Sequence, residues 1–162
     1  LIAFARSDHL DLLRAVAGTV QVPQTVFREC IHALSKPGAR RIQQAVADAL
    51  IICLPDTALP ASVKVAPIDA GEKSAIALAI AQQCQVLLDE RLGRIVARRH
   101  DIGVIGSAGI LLAAKARGLL PMVGPILEQW IGFGYRLSNE RSPKCCTGQM
   151  RSAEPGRRHV RS

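Results

Sequence analysis

At 162 residues, 49% hydrophobic and 21% charged, the chain has the composition of one globular domain, able to bury roughly 70% of the surface an extended chain exposes. Its uncharged stretches, such as 74–88 and 102–114, fall short of the ~20 residues a membrane helix needs, so no membrane partner is expected, and 3% aromatics exclude an aromatic stacking platform for single strands. The net charge of +8 is uneven: residues 1–135 hold 14 Lys or Arg against 11 Asp or Glu, whereas residues 136–162 hold 7 against 2.

Ser7 is placed to cap a helix over 8–17 that stops at Gly18, and Thr19 to Val22 reads as a short strand. Pro23 opens a second helix, with Val26, Phe27, Cys30, Ile31 and Leu34 at helical spacing. The turn Ser35 to Gly38 precedes a helix over 39–49 and an apolar strand over 50–54. After a Pro-bounded loop, Val63 to Val65 suits an edge strand. Gly71-Glu72 opens a helix to about Cys84, which runs into the strand Val86 to Leu88, ended by Asp89-Glu90. A basic helix (91–100), a strand (102–105) and helices over 107–117 and 123–132 follow. Strands alternating with helices imply an α/β domain whose mostly parallel sheet is covered on both faces. From residue 139 onward prolines, serines and arginines without apolar period read as a basic disordered tail.

Five cysteines are an odd number, and Cys30, Cys53 and Cys84 stand singly in apolar segments, as free thiols of a reducing cytoplasm would. In a parallel sheet, functional groups collect beyond the strand carboxyl ends. Asp89 and Glu90 stand at such a point, where paired carboxylates suit Mg²⁺ or Mn²⁺ or else decorate a helix N-terminus. Glu72 is a first-turn carboxylate, and Glu29 is the lone acid of its helix. Gly103, Gly106 and Gly109 lack the tight G-x-G of a dinucleotide loop, and no zinc spacing, Walker loop or nucleophile elbow is present.

Three runs, 1–30, 68–97 and 103–138, together resemble the PIN-domain nucleases, in particular the nucleic-acid-binding branch similar to the toxins of virulence-associated-protein BC toxin–antitoxin pairs. The resemblance implies an α/β/α sandwich around a parallel sheet over residues 1–138, with 139–162 outside it. It implies a ribonuclease that uses Mg²⁺ or Mn²⁺ held by clustered acids, an RNA substrate, a cognate antitoxin as partner and a possible homodimer through the apolar C-terminal helices.

Residue by residue, Glu29 of VPQTVFRE matches the family's second acid, Glu72 of the GE-x-x-AI-x-LA pattern the third, and Asp89 of LLDE the fourth, with Glu90 as alternate. Ser107 of GSAGIL takes the place of a hydroxyl near the acids; apart from the resemblance, Arg28, Lys115 and Arg117 are either cations that guide RNA towards the acids or ordinary surface charges. The family's first acid ends an opening strand that would lie ahead of Leu1, so the expectation is an N-terminally truncated domain. The competing expectation is an inactive PIN-like module that binds a protein or nucleic acid.

Overall fold

The computed structural model describes residues 1–135, so the expected basic tail lies outside the described residues. The first helix, α1 (Ile2–Arg6), buries Ala3, Phe4 and Ala5. Ser7 ends this helix instead of capping the next: its Oγ donates to the Ala3 carbonyl at 3.0 Å. Asp8 takes a left-handed φ of 62°, which turns the chain, and α2 (Leu10–Ala17) starts only after His9. The expected cap was misplaced because a serine hydroxyl also bonds backward to a carbonyl of the preceding turn.

Strand β1 (Gln21–Pro23) leads through Pro23, the extended N-cap residue, into α3 (Gln24–Ile31). After the Ser35 to Gly38 turn come α4 (Ala39–Ala47) and β2 (Ile52–Leu54), which pairs in parallel with β1 so that Val22 faces Cys53. The expected edge strand at 63–65 is instead α5 (Ala61–Lys64). A strand would send Val63 and Val65 to one face. In the helical turn that Pro60 initiates, Val63 is fully buried while Val65 is 81% exposed.

Helix α6 (Ala70–Gln82) is the central one, burying Gly71, Ser74, Ile76, Ala77, Leu78 and Ala79. Its apolar residues run almost all the way round, as befits a helix covered on several sides. It feeds β3 (Val86–Leu87), then α7 (Arg91–Arg98), β4 (Val104–Ile105), α8 (Ser107–Ala116) and α9 (Gly124–Gly132). β3 and β4 are parallel, with Val86 opposite Val104 and Leu87 opposite Ile105.

Side chains of this ribbon alternate between two cores. Leu87 and Ile105 join a cluster that includes Phe4, Leu13, Ile42, Leu111 and Trp130, whereas Val86, Leu88 and Val104 join Val63, Ile76 and Ala97. Parallel strands therefore lie between helices on both faces, the expected α/β/α arrangement. The described strands form two separate pairs, β1-β2 and β3-β4, with a cleft of about 850 Å³ between them. The first core centres on Trp130, fully buried, edge-on to Phe4 at 4.8 Å and donating its indole N–H to Ser7 Oγ at 2.9 Å. Among the described residues no helix is long and apolar enough to cross a membrane.

Candidate active site

The cleft between the strand pairs carries acids from two helices. Helix α3 is anchored where it starts: the Asp56 carboxylate accepts from the backbone N–H and hydroxyl of Thr25 at 2.9 and 2.8 Å. That anchor sets the rotation of α3 as it packs on α6, and Glu29 reaches over the start of α6. Gly71 leaves room for it. A β-carbon on Gly71 would overlap Glu29 Oε2 and stand 3.4 Å from Asp69 Oδ1.

Asp69 is the N-cap of α6, its Oδ1 accepting from the Glu72 N–H at 2.6 Å. The Glu72 carboxylate turns towards α7, against Gly93, where a β-carbon would overlap its Oε1. That oxygen is buried with no hydrogen-bond partner among the described residues. Burial first, then the charges of Asp69 and Glu90, push the Glu72 carboxyl above the usual carboxylate range. Glu29 is raised in the same sense by partial burial and by Asp69. Asp69 therefore repels both Glu29 and Glu72, and Glu90 repels Glu72, so that a cation beside Glu72 would relieve repulsion.

Asp89 is occupied differently. Its Oδ1 accepts from the Ser107 N–H at 2.8 Å, and its Oδ2 accepts from the Ser107 hydroxyl at 2.7 Å and from the Tyr135 hydroxyl. It ties the end of β3 to the N-terminus of α8, where a carboxylate also complements the helix dipole. Arg94 Nη1 lies near by: it and Asp89 Oδ1 are both within 3.5 Å of the point where a Gly106 β-carbon would stand. Burial, then the bond to Asp89, raises the Tyr135 phenol well above its ordinary value.

Glu29 and Glu72 thus line one cleft with Asp69, whereas Asp89 is engaged beside it by Ser107 and Tyr135. Glu90 is the exposed N-cap residue of α7, close enough to act on Glu72. Arg28 is exposed on α3 next to Glu29. Lys115 stands eight residues beyond Ser107 on α8, ~12 Å along its axis. Arg117, just past that end, donates to the Ala15 and Val16 carbonyls at 3.0 and 2.7 Å, closing the C-terminus of α2. The sequence reading does not single out Asp69, Arg94 or Tyr135. The D-x-x-E spacing of Asp69 and Glu72 is the signal that points to the first, and Tyr135 is the chain's one tyrosine.

Among the described residues, no three His, Cys, Asp or Glu side chains meet closely enough to hold a metal ion as they stand. The donor chemistry nevertheless suits a hard divalent cation: carboxylate oxygens, one of them buried and unpartnered, with raised proton affinity. The DUF3368 family, a PIN domain, matches residues 1–146. The chain belongs to the PIN-domain family. No curated protein matches this PIN domain, and no solved structure does. PIN domains have a nuclease fold, generally depend on divalent metal and generally bind nucleic acid.

Proposed function

We propose that this PIN domain is a divalent-metal-dependent ribonuclease acting as the toxin of a toxin–antitoxin pair. The observation that carries the reading is the crowding of Glu29, Asp69, Glu72 and Glu90, with Glu72 Oε1 buried and unsatisfied. Glu29, Asp69 and Glu72 would hold Mg²⁺ or Mn²⁺. When bound, such an ion acidifies a water and offsets charge on the phosphoryl oxygens. The protein's own part is to position these carboxylates by packing α3 on α6, and to keep Asp89 oriented through Ser107 and Tyr135 at the edge of the site. The apolar surface of Leu112, Leu119, Met122 and Ile131, exposed on and around α8 and α9, is where a cognate antitoxin or a second copy would bind.

Cleavage of single-stranded RNA with Mg²⁺ or Mn²⁺, its arrest by chelator, and a loss of about 100-fold or more in Glu72→Gln would support this reading. The second reading, a non-catalytic PIN module, is favoured by one observation: the bonds that Asp89 makes to Ser107 and Tyr135 serve the fold. Under it the protein binds RNA or a protein partner, and neither Mg²⁺ nor Mn²⁺ produces cleavage that Glu72→Gln removes.

A further inference from the structure

At the opposite end of α1 from the acid cleft, the turn Ser35 to Gly38 folds down onto Arg6. Gly38 makes this possible: its φ is +91°, and a β-carbon there would meet Arg6 Cγ at 3.1 Å and Ala5 Cβ at 3.2 Å. The close approach forms a pocket of about 530 Å³ whose charged walls are Arg6, Lys36, Arg40 and Arg41, with Phe133 at one side.

Two of these cations are held in place. The Arg41 Nη1 donates to the Ala5 and Arg6 carbonyls at 3.0 and 3.3 Å, and its Nε pairs with Asp8 at 3.2 Å. The Arg6 guanidinium lies 3.9 Å over the Phe133 ring and donates to the Phe133 carbonyl at 3.2 Å, which leaves its Nε buried without a partner among the described residues. Lys36 and Arg40 are exposed.

The arrangement works against itself unless an anion is present. Helix α4 begins here with no acid in its first turn and no side-chain cap. Arg40 and Arg41 instead stand beside the positive end of the helix dipole, where cations are unfavourable and anions are stabilised. Asp8, itself largely exposed, is the acid that pairs in this group.

One short helix joins the pocket to the acid cleft. Leu1, the N-cap residue of α1, lines the cleft that Glu29 also lines, and Arg6 ends the same helix, ~7.5 Å further in axial rise. Phe133 precedes by two residues the tyrosine that holds Asp89. A polyanion approaching the carboxylates of the cleft is repelled, and fixed positive charge along its path offsets that repulsion.

We infer that this pocket seats a backbone phosphate of a single-stranded RNA whose reacting phosphodiester lies at the acids. The inference rests on the ribonuclease reading for its choice of ligand. Its test does not depend on cleavage.

Binding of a fluorescent oligoribonucleotide would be measured by anisotropy in EDTA over a series of salt concentrations. The proteins compared are the 162-residue chain, the double variant Lys36→Ala/Arg40→Ala, and a control pair of equal charge loss, Arg98→Ala/Arg99→Ala, on exposed positions at the end of α7. The expected result is about tenfold weaker binding for the first pair. The slope of log K against log salt should also become shallower by about 0.7 for each phosphate contact removed. The control pair should change little. Equal weakening by both pairs would mean net charge alone is at work, and unchanged binding by the first pair would mean the pocket is not used; either overturns the inference. So would retention on anionic phospholipid vesicles that the first pair abolishes while RNA binding persists. The ribonuclease reading fails on other evidence, if Glu72→Gln cleaves RNA as well as the unaltered protein.

Discussion

Glu29 Oε2 and Asp69 Oδ1 converge on the point that a β-carbon of Gly71 would occupy. The missing side chain at 71 therefore lets a carboxylate from α3 lie across the N-terminus of α6, and Gly93 does the same for Glu72 on α7. Alanine at an ordinary helical glycine stabilises by about 1 kcal/mol. Gly93→Ala should not deliver that gain, because the Glu72 carboxylate must swing aside. The expected outcome is a melting temperature close to that of the unaltered protein, with Mn²⁺ affinity at least tenfold weaker in a titration.

Raised carboxyl groups give a pH dependence of definite sign. With its folded pKa above the ordinary carboxylate value, Glu72 contributes stability that is fully present below the unfolded value and is lost as pH rises through the folded one. Glu72→Gln removes that loss. The variant should melt roughly 2 °C higher than the unaltered protein at pH 7 and level with it near pH 4, as followed by circular dichroism. Added Mg²⁺ should raise the melting point of the unaltered protein more than that of the variant.

Tyr135 provides a spectroscopic handle on Asp89, since it is the one tyrosine in the chain. Burial and the hydrogen bond to Asp89 both hold the phenol protonated, so its ionisation in an ultraviolet titration should start well above the normal tyrosine range. Asp89→Asn removes the negative acceptor and should bring the titration back down. If the curve does not move, the hydroxyl is not bonded to Asp89.

The helix and strand alternation was legible because apolar period and turn residues agreed over most of the chain; α3, α4, α6 and α8 start within a residue or two of the expected points. Val63 to Val65 misled because β-branched residues suit a strand, whereas Pro60 and the burial of Val63 alone select a helical turn. For the site, Glu29 stood out as the lone acid of its helix, whereas Glu72 read by itself as an ordinary first-turn carboxylate and was singled out only by the PIN resemblance. What Asp89 touches was not, because its partners stand 18 and 46 residues away and only the fold brings them together.

Ser7 also has a role that its position in the sequence hides. Its hydroxyl accepts from the Trp130 indole in the centre of the first core. Ser7→Ala would leave that N–H buried and unpaired, at a cost of about 1–3 kcal/mol. Denaturant unfolding followed through the single tryptophan should show the midpoint falling by that free energy divided by the slope, with the slope itself unchanged.

The β3-β4 ribbon is only two residues long in each strand, yet it is the wall between two separate hydrophobic clusters. Glu29 stands on a helix whose Phe27, Cys30 and Ile31 lean on one cluster, while Glu72 stands on a helix whose Ile76 and Ala79 belong to the other. The two carboxylates therefore stand on helices rooted in different clusters, whose opening hydrogen exchange would read separately. An ion shared by those carboxylates would act as a rivet, making the two halves exchange as one, so that the same contacts governing chemistry would also govern mechanical cohesion.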